Sequence, residues 1–429
     1  MRPPPAVDDA ARAAETAARG SYGKLVAFLS ARTHDVAGAQ DALSEAFAAA
    51  LIDWPHQGVP RTPDAWLLTV ARRRLVDAAR RRRLDADAAA HLQWLAALQD
   101  DEGTSAEMPD ERLGLLFACA HPGIDRAVRA PLMLQAVLGF DAATIASAFL
   151  VAPSTMGQRL TRAKTRIRQA GIGFAVPPPA ELPARLDAVL DAVYAAYAEG
   201  WTDPQGADAR RRNLADEAIG LGRLLVQLLP AEAEALGLLS LMLHTHARRG
   251  ARRDADGGYV PLAEQDTRRW NAALIDEAEM LLHAAAGMGR GGRFQIEAAV
   301  QSAHAVRRHA GLADWCAIEG LYDALCALTG SPVAALNRAV ALSHSQGAAA
   351  GLAALDALAA DTRLADYQPY WAARADLLAR CGGAPERLLA AQAYQRAIGL
   401  ERDPAVRSFL QQRAAALAVQ PQAAVGSSV

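Results

Sequence analysis

From Asp9 to Leu417 apolar residues recur every three or four positions, and no sustained period-two alternation of β-branched residues interrupts them. A chain patterned this way buries its stripes helix against helix, so the expected fold class is all-α. With 429 residues and 52% hydrophobic content, there is enough side chain for more than one core. Four cysteines, Cys119, Cys316, Cys326 and Cys381, stand far apart with no CxxC pair. That spacing argues against a disulfide scaffold and a cysteine-rich metal site, and it suits a reducing cytoplasm.

Punctuation divides the helical pattern. An N-terminal unit is expected over 9–83, a linker over 84–109 and a second unit over 110–173. The run Val176-Pro177-Pro178-Pro179 then marks the main boundary. A helical extension is expected over 177–417, with a frayed tail over 418–429. Within the extension, Tyr370 to Leu378 followed by a turn and Ala391 to Leu400 reads as a helix pair. Leu321 to Leu325, Ser331-Pro332 and Ala335 to Val340 repeat that logic. These pairs resemble tetratricopeptide-type repeats.

The start, Met1-Arg2-Pro3-Pro4-Pro5, leads into acids and an alanine-rich helix without the apolar core of an export signal. The least charged stretch, Pro131 to Gln158, is broken by Asp141, so no membrane crossing is expected. Lys+Arg 45 and Asp+Glu 47 nearly cancel, but the charges are segregated. Arg61 to Arg83 holds eight arginines and two aspartates, whereas Leu84 to Pro109 holds six acids and no Lys or Arg.

Three segments carry chemistry. From Asp35 to Trp54, Ala39, Leu43, Ala46, Phe47 and Ala50 form an apolar stripe, with Gln40, Asp41, Ser44 and Glu45 on another face. Next, Thr62-Pro63-Asp64 supplies a helix start, followed by a core stripe of Trp66 and Val70 that continues through Ala71, Leu75 and Ala78. The opposite side carries Arg72, Arg73, Arg80, Arg81 and Arg83. Clustered guanidinium groups beside an aromatic side chain point to nucleic acid, because they neutralise phosphates and stack on unpaired bases. The third segment is a helix-turn-helix. Asp141 caps Ala142 to Phe149, Leu150 to Ala152 turn, and Pro153 or Ser154 opens a second helix to Gln169. There Met156, Leu160, Ala163 and Ile167 form the buried stripe, and Gln158, Arg159, Arg162, Lys164, Arg166 and Arg168 lie elsewhere with no acid among them. A helix that reads a DNA groove requires that division.

The order of these parts, with Gln40-Asp41-Ala42-Leu43-Ser44-Glu45-Ala46-Phe47 and Pro63-Asp64-Ala65-Trp66-Leu67, resembles bacterial RNA polymerase sigma factors of the extracytoplasmic-function type. Phe117 to Pro122, Asp216 to Ile219 and Ala335 to Val340 resemble the subgroup with a long C-terminal helical extension. The resemblance implies that Asp41 and Glu45, with Gln40 and Phe47, bind core RNA polymerase through the clamp coiled coil of its largest catalytic subunit. It further implies that Trp66, Arg72, Arg73, Arg80 and Arg81 engage the -10 element. Ser154, Thr155, Gln158, Arg159, Arg162 and Arg166 would read the -35 element. The acidic linker would thread the polymerase channel. The partners implied are core polymerase and promoter DNA, together with a regulatory protein or an intramolecular contact through the extension; no cofactor is implied.

Other motifs read more plainly. Gly287 to Gly292 satisfies GxGxxG but follows a helix, so it is expected to be an interhelical loop. His244 with His246, and Cys119 with His121, lack ligand partners at metal spacing. Arg248-Arg249 and Arg252-Arg253 read as a surface turn that could also touch the N-terminal units, and Trp315, Leu321, Tyr322 and Leu325 read as helix packing. No nucleophile and base stand at catalytic spacing, so no enzyme is expected. The rival reading is a transcriptional regulator that binds DNA through Asp141 to Gln169 without polymerase and uses the helical region as a sensor. Such a regulator has no need for the two segments before residue 84.

Overall fold

The computed structural model describes residues 7–82, 109–149, 151–178, 180–201 and 209–419. Among these the chain is all-α, with helices joined by turns, no β-strand, and a lone bridge between Arg253 and Tyr259. It divides into two compact units, Met1–Gly200 with Arg210–Ala218 and Trp201–Ala209 with Ile219–Val429. Pro177 and Pro178 therefore lie within the first unit. Arg83, residues 84–108 of the acidic linker, Leu150, Pro179 and the tail from Gln420 lie outside the described residues.

The first unit opens with α1 (Val7–Thr33), α2 (Val36–Gln57) and α3 (Pro63–Arg82), which pack on one another. Asp35 separates α1 from α2 and caps α2 by accepting the Gly38 amide at 3.0 Å. Leu25, Leu29, Leu43 and Trp54 are fully buried between these helices. On α3 the buried line runs through Leu67, Ala71 and Leu75, one position on from the expected Trp66 and Val70. Because α3 rests on both α1 and α2, its stripe turns, and Trp66 is half-buried with its ring edge-on to Trp54 at 5.5 Å.

Five further helices complete this unit: α4 (Arg112–Cys119), α5 (Arg126–Leu138), α6 (Ala142–Ala148), α7 (Pro153–Gln169) and α8 (Leu182–Trp201). Every residue from Leu113 to Ala120 is buried, and that burial pushes the Cys119 thiol up to about 12. Asp141 caps α6 as expected, accepting from the Thr144 amide at 2.8 Å and its hydroxyl at 2.7 Å. Beyond the proline run, α8 is fastened to the same unit. Arg185 donates to the Phe117 carbonyl at 2.9 Å, and Arg126 pairs with Asp191 at 2.7 Å. Where α1 meets α5, Gly23 lies against the Val137 carbonyl, and a Cβ there would overlap that oxygen.

Helix α9 (Ala209–Leu228) runs from the first unit into the second. At the head of the second, α10 (Ala233–Ala247) is buried on nearly every side by α11 (Ala272–Gly287) and α12 (Arg293–Ala305). After the short α13 (Arg307–Ala310) come α14 (Trp315–Thr329), α15 (Pro332–Ser345), α16 (Ala348–Asp356), α17 (Gln368–Cys381), α18 (Ala384–Leu400) and α19 (Pro404–Val419). From α14 onward each helix packs chiefly on the next, the arrangement of a one-dimensional stack. Asp314 and Ser331 start α14 and α15 by accepting the amides of Ala317 and Ala334.

Candidate polymerase and nucleic-acid interface

Helix α2 presents one continuous exposed stripe: Asp41, Glu45, Ala48 and Ile52 stand at helical spacing, with Ser44 and Leu51 beside them. Leu51 and Ile52 are 52% and 66% exposed, which is unusual for large apolar side chains. Sequence reasoning missed both, because it followed the apolar stripe and did not trace the acidic face beyond Glu45. Phe47 is half-buried. Glu45 pairs with Arg74 of α3 at 3.3 Å. Both side chains of this pair are about half exposed, so it contributes little stability.

Gln40 corrects the expectation that it shares the exposed face. It is 7% exposed, held among Tyr22 of α1, Gln135 of α5 and Lys164 of α7. Its amide donates to the Tyr22 hydroxyl at 3.2 Å and the Gln135 carbonyl at 3.1 Å, while its oxygen accepts from Lys164 Nζ at 3.0 Å. Burial of Lys164 lowers its pKa, opposed by the charges of Asp41 and Asp35.

On α3, Arg73 is exposed, whereas Arg72 is half-buried with its guanidinium over the Phe28 ring at 5.2 Å. Arg80 and Arg81 occupy the last turn of α3, and their side chains lie outside the described residues. Arg72 is thus partly engaged in packing, and the outward charge of the described part of α3 rests on Arg73 and Arg74.

Helix α7 buries Met156, Leu160, Ala163 and Ile167, the expected stripe. Its basic residues divide into two lines. Arg159, Arg162 and Arg166, with Ser154 and Gln158, face solvent, and Thr155 is half-buried. Lys164 and Arg168 turn instead toward α2, Lys164 to Gln40 and Arg168 to Asp35 at 3.5 Å. The outward line offers three guanidinium groups across two turns of helix, the arrangement that phosphates and base edges require.

The remaining motifs settle into structural roles. Of Gly287 to Gly292, Gly287 ends α11 and the rest forms the loop to α12, the interhelical connection expected. The amides of Phe294 and Gln295, which open α12, already receive the Glu234 carboxylate at 2.9 and 3.2 Å. His244 is buried on α10, with Glu279 at 3.5 Å from Nε2. Arg252 stacks on Trp201 at 4.7 Å and Arg253 pairs with Asp403, so both are tied into the second unit. Among the described residues no group of His, Cys, Asp and Glu could hold a metal ion, and no helix is long and apolar enough to cross a membrane.

Residues 19–84 match the Sigma-70 region 2 family, and residues 185–286 match a family of unknown function (DUF6596). The helix-turn-helix lies between these two stretches. An uncharacterized protein of Rhizobium meliloti (strain 1021) is 38% identical over 389 residues, covering 89% of this chain and 90% of that protein. No solved structure matches. Sigma-70 proteins are transcription factors rather than enzymes. The chain belongs to the same family as the Rhizobium protein, and its α1 to α3 domain is that of a sigma factor, a protein of transcription initiation.

Proposed function

We propose that the chain is a sigma factor of the extracytoplasmic-function type, which binds core RNA polymerase in the cytoplasm and directs promoter-specific initiation. The observation that carries this reading is the coincidence of the Sigma-70 region 2 match with the exposed acidic and apolar stripe of α2. Asp41 and Glu45 supply charge complementary to a basic coiled coil, and Leu51 and Ile52 add apolar area beside them. In this reading Trp66, Arg72, Arg73, Arg80 and Arg81 engage the -10 element, and the outward line of α7 reads the -35 element. The acidic linker 84–109 follows the polymerase channel, joining units 9–83 and 110–173. The extension over 177–417 is a tetratricopeptide-like stack whose role is contact with protein, including the sigma units themselves.

The region 2 match favours this reading over a regulator that acts without polymerase. The test is run-off transcription with purified core polymerase and a promoter panel. A transcript that depends on both the chain and one promoter class supports the proposal. Sequence-specific DNA binding with no core binding would favour the rival.

A further inference from the structure

In the second unit one face of α17 lines a cavity of about 690 Å³, a volume within the range of small-molecule sites. Gln368, Ala372, Asp376 and Arg380 stand on that face at four-residue spacing, a row about 18 Å long. Helix α19 and the chain over 259–264 supply further walls. Much of the lining is apolar: Tyr259 meets Phe409 edge-on at 5.5 Å, and Val406 and Leu410 continue the surface.

Tyr394 of α18 is the polar group that this lining leaves unmet. Its side chain is 4% exposed and packs with Ala375, Ala393, Ala397 and Leu410. Its hydroxyl nevertheless has no hydrogen-bond partner among the described residues. The two charges that act on it, Asp376 and Arg413, both belong to the cavity wall, so the hydroxyl lies at the cavity. Burial, joined by Asp376, pushes Tyr394 up to about 12, and at neutral pH it is therefore an O–H donor. A buried donor with no acceptor carries a desolvation cost that an oxygen placed in the cavity removes.

The charged groups of the wall cancel. Arg413 pairs with Glu264 at 2.6 Å, and Arg380 reaches Asp376 at 3.6 Å while donating to the Ser343 hydroxyl and carbonyl at 3.1 and 3.0 Å. Burial lowers the His344 imidazole below its ordinary value, so it is neutral at pH 7. A wall without net charge offers a desolvated ion no counter-charge, which disfavours a charged ligand.

We infer that this cavity binds an uncharged, mainly apolar ring compound that carries an acceptor oxygen, with the ring between α17 and α19 and the oxygen accepting from Tyr394. Gln368, which also has no hydrogen-bond partner among the described residues, offers a second polar contact about 12 Å along α17 from Asp376. The inference does not depend on the sigma-factor reading, since it rests on the second unit alone.

The test is a fluorescence titration of the full chain with the uncharged naphthyl ketone prodan, followed by displacement with smaller naphthalenes. The expected result is saturable one-site binding with a blue-shifted emission. 2-Acetylnaphthalene should displace prodan at concentrations at least tenfold below those needed of 2-naphthoate or 2-naphthylmethylammonium. Ala372→Phe, which fills the cavity, should weaken prodan at least tenfold. Because that variant also crowds α17, Tyr394→Phe is the second: it removes no internal hydrogen bond and keeps the ring. It should weaken 2-acetylnaphthalene severalfold and leave 2-ethylnaphthalene, which has no oxygen, unchanged. No saturable binding, equal displacement by either ion, or wild-type affinity for the ketone in Tyr394→Phe or Ala372→Phe would overturn the inference.

Discussion

Lys164 Nζ lies 3.0 Å from Gln40 Oε1, so α7, which carries the outward line of arginines, is fastened to α2, which carries the exposed acids. The bond spans 124 residues of sequence. Since Gln40 is buried, losing the lysine leaves a buried acceptor unmet. Lys164→Ala should therefore lower the unfolding free energy by about 1 to 2 kcal/mol. The double variant Gln40→Leu, Lys164→Ala should lose less than the sum of the two single variants, although Gln40→Leu also takes a donor from the Tyr22 hydroxyl and the Gln135 carbonyl. Urea melts of the four-member cycle check it, and additive single losses would remove the coupling.

Reversal of the α2 acids separates binding from folding. Asp41 and Glu45 are exposed, and the Glu45–Arg74 pair contributes at most about 1 kcal/mol. Asp41→Arg with Glu45→Arg should leave the melting profile close to wild type and abolish capture by core polymerase through like-charge repulsion. Unchanged capture would remove α2 from the interface.

The two lines of α7 should differ in their response to salt. Arg159→Ala and Arg162→Ala, on the outward line, should each weaken promoter binding. Each should also reduce the slope of log affinity against log salt by about 0.9 if the residue meets a phosphate. Arg168→Ala, turned toward Asp35, should leave that slope unchanged. A common slope for all three variants and wild type would rule out the division.

Acid should destabilise the second unit through His244 and His304. Burial, joined by Arg248 and Arg308, lowers His244 to about 4 from 6.5. Glu279 beside it is half exposed, and its opposing field is screened by water. Burial, with Arg248, Arg307 and His344, does the same to His304. Between pH 6.5 and 4 the unfolded chain binds more protons than the folded one. The stabilisation is therefore complete above pH 6.5 and is lost as pH falls toward 4, by up to about 3 kcal/mol for each histidine. Urea midpoints at pH 7 and pH 5 check the sign, and His244→Gln should flatten the dependence. A midpoint that rises on acidification would contradict it.

Much of the fold was legible in the sequence because the deciding signals are local. Asp141, the turn after α6 and the Met156, Leu160, Ala163, Ile167 stripe specify the helix-turn-helix from within thirty residues or so, as caps and periodicity do. Gln40 was misplaced because its burial comes from Tyr22, Gln135 and Lys164, and no local pattern encodes partners 95 and 124 positions away. The same limit hid the inward turn of Lys164 and Arg168, whose residue types match those of the outward line. Of the expected α3 stripe Ala71 and Leu75 are buried whereas Trp66 and Val70 are half-buried, since periodicity gives spacing without phase, and the phase was set by packing against two helices at once. Leu51 and Ile52 carried a usable signal: they follow Asp41, Glu45 and Ala48 along one face, and tracing that face instead of the apolar count would have found them.

The meeting of Gly23 with the Val137 carbonyl makes one missing carbon atom the clearance between the two halves of the first unit. A methyl group at that point works as a wedge. Its three nearest atoms are all backbone atoms of Val137, so α1 and α5 can accommodate it only by moving apart. Gly23→Ala is thus a purely steric handle for prising α1 from α5, with every charged side chain of the unit left chemically unaltered.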